Sequence, residues 1–488
     1  MSDNPTVGLK PEILWQRFYE ISRVPRPSKK EEKIIKYLKN FISEMNLKYK
    51  QDKIGNIAIS VPATPGYENA RKVILQGHID MVCEKNKSTK HDFENDPIKL
   101  VRQDGWIAAE GTTLGSDNGI GVAAGLAVIT DKEVVHGPLE ILLTVDEETG
   151  LTGATNIKKD LISGDILLNL DSEEDGAFYV GCSGGIDTSA EFKLELTPVP
   201  KGMQVYDLVV TGLKGGHSGL DIHTKRGNAI KIIGRALGQL APLNFSIAGI
   251  EGGSLRNAIP RETEALILLK KSDVSKAKRI LKRFEAEVQN ELKVSDSGFK
   301  IEFKKSKEAV KKVLKKSFGK KIIDVLLGLP NGVIAMSQEI QDLVETSTSL
   351  ATIHTTKKSL LIATSQRSSV NSANQYISDS VTAVFDLAGA KVKTSDGYPG
   401  WVPNLDSNIL NLSKEVYKQL FNKEPEIKAI HAGLECGILE GKNPGMDMVS
   451  FGPTIQGAHS PNERVNIETV EKFYNLLKGI LKRIAENN

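Results

Sequence analysis

Four short apolar segments govern what this chain can fold into: NIAISV at 56–61, KVILQGHID at 72–80, LEILLTVDEE at 139–148 and DILLNLDSE at 165–173. Each is dense in Ile, Leu and Val, and three of the four run directly into acidic or histidine residues. Continuous apolar strands suit a sheet buried on both faces and covered by helices, such as the one predicted over Gly119–Thr130. In α/β sheets, functional groups gather at strand ends, where loops present them without disturbing the core. A strand ending in HxD, EE or DS therefore reads as one wall of a site.

Around these strands the pattern divides the chain. Ile13, Leu14, Phe18 and Ile21 predict a helix over Pro11–Val24, and Ile34, Ile35, Leu38, Phe41 and Ile42 predict another over Lys29–Met45. Beyond GCSGG at 181–185 the character changes. YDLVVTGL, Asn228–Leu240, EALILLKK and Val274–Leu292 form one series of strand and helix signals, and a second series runs over 299–392. Together they read as a doubled βαβ-type layer, although no sequence repeat supports the doubling. After Gly400 the first style returns, with a helix over Ser407–Phe421, a strand near Ile427–Ile430 and a last amphipathic helix from Asn466. The expected fold class is α/β. Residues 1–186 and 400–488 build one domain, a mixed sheet covered by helices, interrupted by an inserted α+β domain at 187–399. Within the insertion, Val310, Val313 and Leu314 lie at helical spacing between Lys304 and Lys321. That predicts an amphipathic helix with a solvated lysine face, a charged partner surface being the alternative.

Composition narrows the function classes. A chain of 488 residues exceeds one ordinary core, and its formal charge of +3 gives no reason to expect nucleic acid or an anionic membrane as partner. No run of 18 apolar residues occurs, and the N-terminus lacks the apolar core of a signal peptide. Cys83, Cys182 and Cys436 are odd in number, far apart and free of CxxC pairing, as in a reduced, cytoplasmic protein.

Hard or borderline divalent metals take imidazole nitrogen and carboxylate oxygen, and a pair of such ions needs one carboxylate in common. Suitable groups occur in five places: His78-Ile79-Asp80, Ser116-Asp117-Asn118, Asp146-Glu147-Glu148, Leu170-Asp171-Ser172 and Ala458-His459-Ser460. Singly, each has an ordinary surface or loop reading. Jointly, at successive strand ends, they point to a metal centre.

QGHIDMVCEKN, GTTLGSDNGIGVAAGLA, TVDEETGLTGA, NLDSEEDG, GGHSGLDIH and GAHSPNERV, in that order, resemble the motifs of aminoacyl-histidine dipeptidases. These form a branch of the zinc aminopeptidase, carboxypeptidase and aminoacylase superfamily. The resemblance extends from near the N-terminus to the final helix and is weakest over about 270–360. It implies that His78 and Asp171 hold one metal, Glu148 and His459 the other, and that Asp117 bridges them. It further implies that Asp80 orients His78, that Glu147 is the general base, and that the Asp117–Asn118 peptide is cis. His217, in KGGHSG, would donate to the tetrahedral oxyanion from the inserted lid. Asn257 and Arg367 would recognise the substrate carboxylate, with Arg256 and Arg261 as rivals. Zinc is the implied metal, and the donor set also suits cobalt or manganese. The expected activity is hydrolysis of dipeptides of Xaa-His type, including β-alanyl-histidine, with a homodimer through the lid compatible with it. The alternatives are a tripeptidase, carboxypeptidase or N-acyl amino acid deacylase of the same superfamily and, from another class, a catalytically silent binding protein.

Overall fold

A computed structural model describes residues 4–487 of the chain. It divides into two compact units, one made of Met1–Cys182, Trp401–Ala429 and Leu434–Asn488, the other of Ser183–Gly400 and Ile430–Gly433.

The first unit is built on an eight-stranded sheet among the described residues. Its order is Lys48–Gln51, Ile57–Val61, Leu139–Thr144, Val73–His78, Ile166–Asn169, Asp447–Ser450, Ala177–Cys182 and Glu426–Ile430. The four middle strands are parallel, and the pairs flanking them at Ile57–Val61 and Ala177–Cys182 are antiparallel. The sheet is thus mixed, as expected. Every residue of Val73–His78, Leu139–Thr144 and Ile166–Asn169 is buried. That accounts for their unbroken apolar composition, since no face is left to water.

Helix Ser116–Thr130 lies on Val73–His78 and is buried over most of its length. Helices Glu12–Ser22 and Ile467–Glu486 pack against it in turn. The seam of Ile467–Glu486 uses Val470, Phe473, Leu477, Ile480, Leu481 and Ile484, all buried at helical spacing. Each such side chain contributes about 1.5–3 kcal/mol on leaving water. Because the middle strands run parallel, the C-terminal ends of Val73–His78, Leu139–Thr144 and Ile166–Asn169 lie side by side. A small antiparallel sheet adds a further support, its hairpin of Ile455–Gln456 and Arg464–Asn466 paired with Trp106–Ala109.

In the second unit one nine-stranded sheet, antiparallel throughout the described pairs, replaces the doubled βαβ-type layer expected from the sequence. Strand Met203–Thr211 alternates between buried and half-buried residues, the mark of a sheet with one covered face. Its core joins Leu208, Val210, Ile267 and Leu269 to Ile233 and Leu237, Leu281 and Phe284, Ile322 and Leu326, and Val381 and Phe385 on four helices.

The helix expected over Lys304–Lys321 is not formed. Lys300–Lys305 is an edge strand, Lys312–Leu314 pairs with Leu196–Pro198, and a helix begins only at Lys316. Val313 and Leu314 are buried through that pairing, so the spacing that suggested a helix reflects a strand followed by a separate helix start. No helix among the described residues is long and apolar enough to cross a membrane.

Candidate metal centre

The three parallel strand ends converge on one cluster in the first unit. His78 closes its strand and is 1% exposed. Its Nε2 lies 3.1 Å from Asp117 Oδ1 and 3.3 Å from Asp171 Oδ1. The other oxygen of Asp117, Oδ2, lies 3.0 Å from His459 Nε2, which is also 2.9 Å from Glu148 Oε2. Asp117 therefore offers one oxygen to each of two His–carboxylate pairs. Two ligands bound at about 2.0–2.2 Å to one tetrahedral ion stand roughly 3.3–3.6 Å apart, so this spacing is close to that of a shared ion.

The donor set fits a pair of divalent cations on a second observation. Glu148 Oε1 is buried without a hydrogen-bond partner among the described residues, and Asp171 Oδ1 meets only the His78 ring, at 3.3 Å. Buried carboxylate oxygens left in that state are costly unless a cation meets them.

Local structure explains how each side chain arrives. Asp117 lies in the non-helical start of Ser116–Thr130, behind a left-handed Gly115, and the Asp117–Asn118 peptide is cis. Gly77 is needed beneath it, because a Cβ there would meet Asn118 Oδ1 at 2.2 Å. Glu147 and Glu148 open a single helical turn after strand Leu139–Thr144. His459 sits in the hairpin loop between Ile455–Gln456 and Arg464–Asn466 and is 53% exposed at its side chain.

Asp80 is fully buried. Its Oδ1 lies 3.3 Å from His78 Nδ1 and accepts from Glu147 N at 3.1 Å, while Oδ2 accepts from Ser28 Oγ at 2.7 Å and Glu148 N at 3.3 Å. A carboxylate at Nδ1 leaves Nε2 facing Asp117 and Asp171, the usual outer partner of a metal-binding imidazole.

Crowded carboxylates set the protonation of the metal-free cluster. Burial works against a charged His78, but Asp171, Asp117 and Asp80 outweigh it and hold its pKa well above the usual value. Hydrogen bonds to Asp117 and Glu148 lift His459 to about 11. Burial raises Asp171 to about 6 and pushes Glu147 well above the usual carboxyl value, with the neighbouring Asp171 and Glu148 charges adding to the latter. Bound cations would act in the opposite sense on all four groups.

The second unit holds the remaining candidates. His217 Nδ1 accepts from the amides of Gly219 at 3.2 Å and Leu220 at 3.0 Å, which places the proton of a neutral ring on Nε2. Arg367 is 7% exposed, and its Nη1 donates to Tyr398 Oη at 3.1 Å. A Cβ at Gly219 would stand 3.1 Å from His217 Cε1 and 3.2 Å from Arg367 Cδ, so these two side chains share one neighbourhood. Asn257 is exposed on the adjoining loop, its carbonyl accepting from Ser218 N at 2.8 Å. Of the rivals, Arg256 is engaged with Asp187 at 3.1 Å.

Among the buried ionisable residues that escaped sequence reasoning are Arg26, Glu435 and Glu463. Glu435 Oε2 accepts from Gln76 Nε2 and Thr144 Oγ1 at 2.5 and 2.6 Å, beneath the strand ends. Glu463 lies within GAHSPNERV, four residues after His459, and that proximity was the only signal available for it.

The sequence pattern of peptidase family M20/M25/M40 matches residues 74–483. The chain belongs to this family. It is 42% identical over 477 residues to the cytosol non-specific dipeptidase of Escherichia coli (strain K12), covering 98% of each chain. The crystal structure of aminoacylhistidine dipeptidase from Vibrio alginolyticus superposes with a TM-score of 0.88 at 42% identity over 97% of each chain. Aminopeptidase PepT from Bacillus cereus shares the fold, with a TM-score of 0.58 at 17% identity, covering 98% of this chain and 100% of its own.

Proposed function

We propose that the protein is a metal-dependent dipeptidase of the cytosol, acting on Xaa-His dipeptides such as β-alanyl-histidine. The observation that carries this reading is the division of one carboxylate, Asp117, between two His–carboxylate pairs with Glu147 beside them. The 42% identity to a non-specific dipeptidase and to an aminoacylhistidine dipeptidase supports dipeptides over longer or N-acylated substrates.

His78 and Asp171 would hold one ion, Glu148 and His459 the other, and Asp117 both. Such ions supply Lewis acidity, which polarises a scissile carbonyl and acidifies water. Glu147, free of any assigned ligand role, takes the proton from the attacking water and returns it to the departing amine. Its position next to Glu148 in one helical turn keeps it within the same cluster. Asp80 fixes the His78 ring and both Glu amides. In the inserted unit, which we assign the role of a lid, the Nε2–H of His217 donates to the developing oxyanion. Arg367 and Asn257 recognise the substrate carboxylate, for which a planar guanidinium is suited. Zinc is the proposed metal.

A panel of carnosine, Gly-Gly-Gly and N-acetyl amino acids, assayed with the metal content measured in parallel, tests the proposal. Carnosine should turn over fastest with two ions bound. Faster turnover of the N-acetyl substrates would assign the protein to the deacylases instead.

A further inference from the structure

The turn that delivers Asp117 is gripped from two sides by buried side chains of opposite charge. On its amide side, Glu463 Oε2 accepts from Leu114 N at 2.8 Å and Gly115 N at 3.0 Å. Its Oε1 accepts from Ser116 N and Ser116 Oγ, both at 2.7 Å, and from Asp117 N at 3.3 Å. On the carbonyl side, Arg26 Nη2 donates to Gly115 O, while Nη1 donates to Ile79 O at 3.1 Å and Asp80 O at 2.7 Å. Glu463 and Arg26 are each 2% exposed.

Burying two charges this fully is costly unless both are saturated with partners. Here the partners are backbone groups of the segments that carry the candidate ligands. Arg26 ties the turn after His78 to the turn before Asp117. Glu463 ties the latter to the hairpin loop that holds His459. The packing leaves little slack: a Cβ at Gly115 would meet Arg26 Nη2 at 2.5 Å, and one at Gly119 would meet the same atom at 2.7 Å.

We propose that Glu463 and Arg26 are positioning residues that fix the Asp117 and His459 segments relative to each other, so that one aspartate can serve two ions. The proposal rests on the reading of Asp117 as the bridging ligand. Neither residue touches substrate or a reacting atom in this scheme, and each acts through the backbone of the ligand segments. A carboxylate with five donors and a guanidinium with three acceptors resist displacement far more than a single contact would.

Glu463→Gln keeps the size of the side chain but turns an amide N–H2 toward backbone N–H donors. Glu140→Gln is its control. Glu140 is also buried and accepts from Ser163 N, Ser163 Oγ and Gly164 N, but it sits on strand Leu139–Thr144 opposite Ile74, at the end away from His78. Both variants and the wild type are loaded with Mn(II). Affinity is read by competition with a chromophoric chelator, and exchange coupling between the two ions by electron paramagnetic resonance.

Glu463→Gln is expected to bind one of the ions about 10- to 100-fold more weakly and to lose the coupling. Glu140→Gln is expected to lose thermal stability while keeping wild-type affinity and coupling. Wild-type affinity and coupling in Glu463→Gln would overturn the proposal alone. Absence of a coupled pair in the wild type would overturn it together with the bridging role of Asp117. Should Glu463→Gln not fold, Ser116→Ala removes one of the five donors. It is expected to weaken binding a few-fold, and unchanged binding would again overturn the proposal.

Discussion

Asp80 Oδ1 stands 3.3 Å from His78 Nδ1, and the same carboxylate accepts the amides of Glu147 and Glu148. One buried side chain thus orients an imidazole at the end of one strand and the turn that follows the neighbouring strand. Asp80→Ala should reduce metal affinity and kcat together, each by about 10- to 100-fold. Chelator competition and steady-state kinetics on the same preparation check this. Wild-type affinity with normal turnover would remove Asp80 from the site.

Glu147 has a different signature, because in the proposed mechanism it moves a proton and holds no ion. Glu147→Gln should lower kcat by about 10²- to 10⁴-fold while two ions remain bound. Metal analysis of the purified variant separates this outcome from loss of a ligand. A Glu147→Gln enzyme with wild-type turnover would disprove the base assignment.

The candidate site residues that follow strands were legible because their signal is local. An apolar strand that ends at His78, Glu147 or Asp171 shows both its burial and its polar terminus within ten residues. Arg26 and Glu463 were not legible for a physical reason. Their partners are amides and carbonyls of the 114–117 and 79–80 turns, and backbone groups carry no residue identity. The insertion shows the same limit at larger scale. Its strands were visible by composition, but their assembly into one antiparallel sheet depends on pairings such as Asp207 with Lys304 and Gly185 with Arg367, far apart in the chain. Lysines over 304–321 suggested a helix face because Val313 and Leu314 gave no hint of their partner strand at Leu196–Pro198.

Loading the site should release protons. His459 is held at about 11 by Asp117 and Glu148, and the carboxylates around His78 hold it well above its usual value. The His459 value lies above neutrality, so near pH 7 the metal-free protein carries that imidazole charged, and the upward shift of His78 favours its charged form as well. A metal must displace those protons, and affinity therefore rises with pH and falls with acid. Calorimetry in buffers of different ionisation enthalpy should show about one to two protons released. Proton-neutral binding would mean that the imidazoles are already neutral in the metal-free protein.

Arg367 provides a test confined to substrate recognition. Lysine preserves the charge at this position but lacks the planar fork that meets a carboxylate through two donors. Arg367→Lys should raise KM by about 10- to 100-fold with metal content unchanged. The complementary substrate, a dipeptide amide lacking the free carboxylate, should be handled almost equally by both enzymes. An Arg367→Lys enzyme that discriminates acid from amide as sharply as the wild type would point to another cation.

Glu435 links burial to pH in the metal-free protein. It is 0% exposed, and burial, reinforced by Asp171 and Asp80 against the opposing Thr144 hydrogen bond and His78 charge, raises its pKa from 4.5 to about 7. The folded state therefore keeps a proton that the unfolded chain releases between pH 4.5 and 7, so stability declines as pH rises through that window. The shift corresponds to about 3 kcal/mol at full development above pH 7. Glu435→Gln cannot ionise and should escape the decline. Chemical denaturation of chelator-treated protein should show the variant gaining on the wild type by roughly that amount between pH 4.5 and 8. Since bound cations favour the ionised carboxylate, the same comparison on metal-loaded protein should give a smaller gap. A gap that did not change with pH would mean that Glu435 ionises in the fold as it does in the open chain.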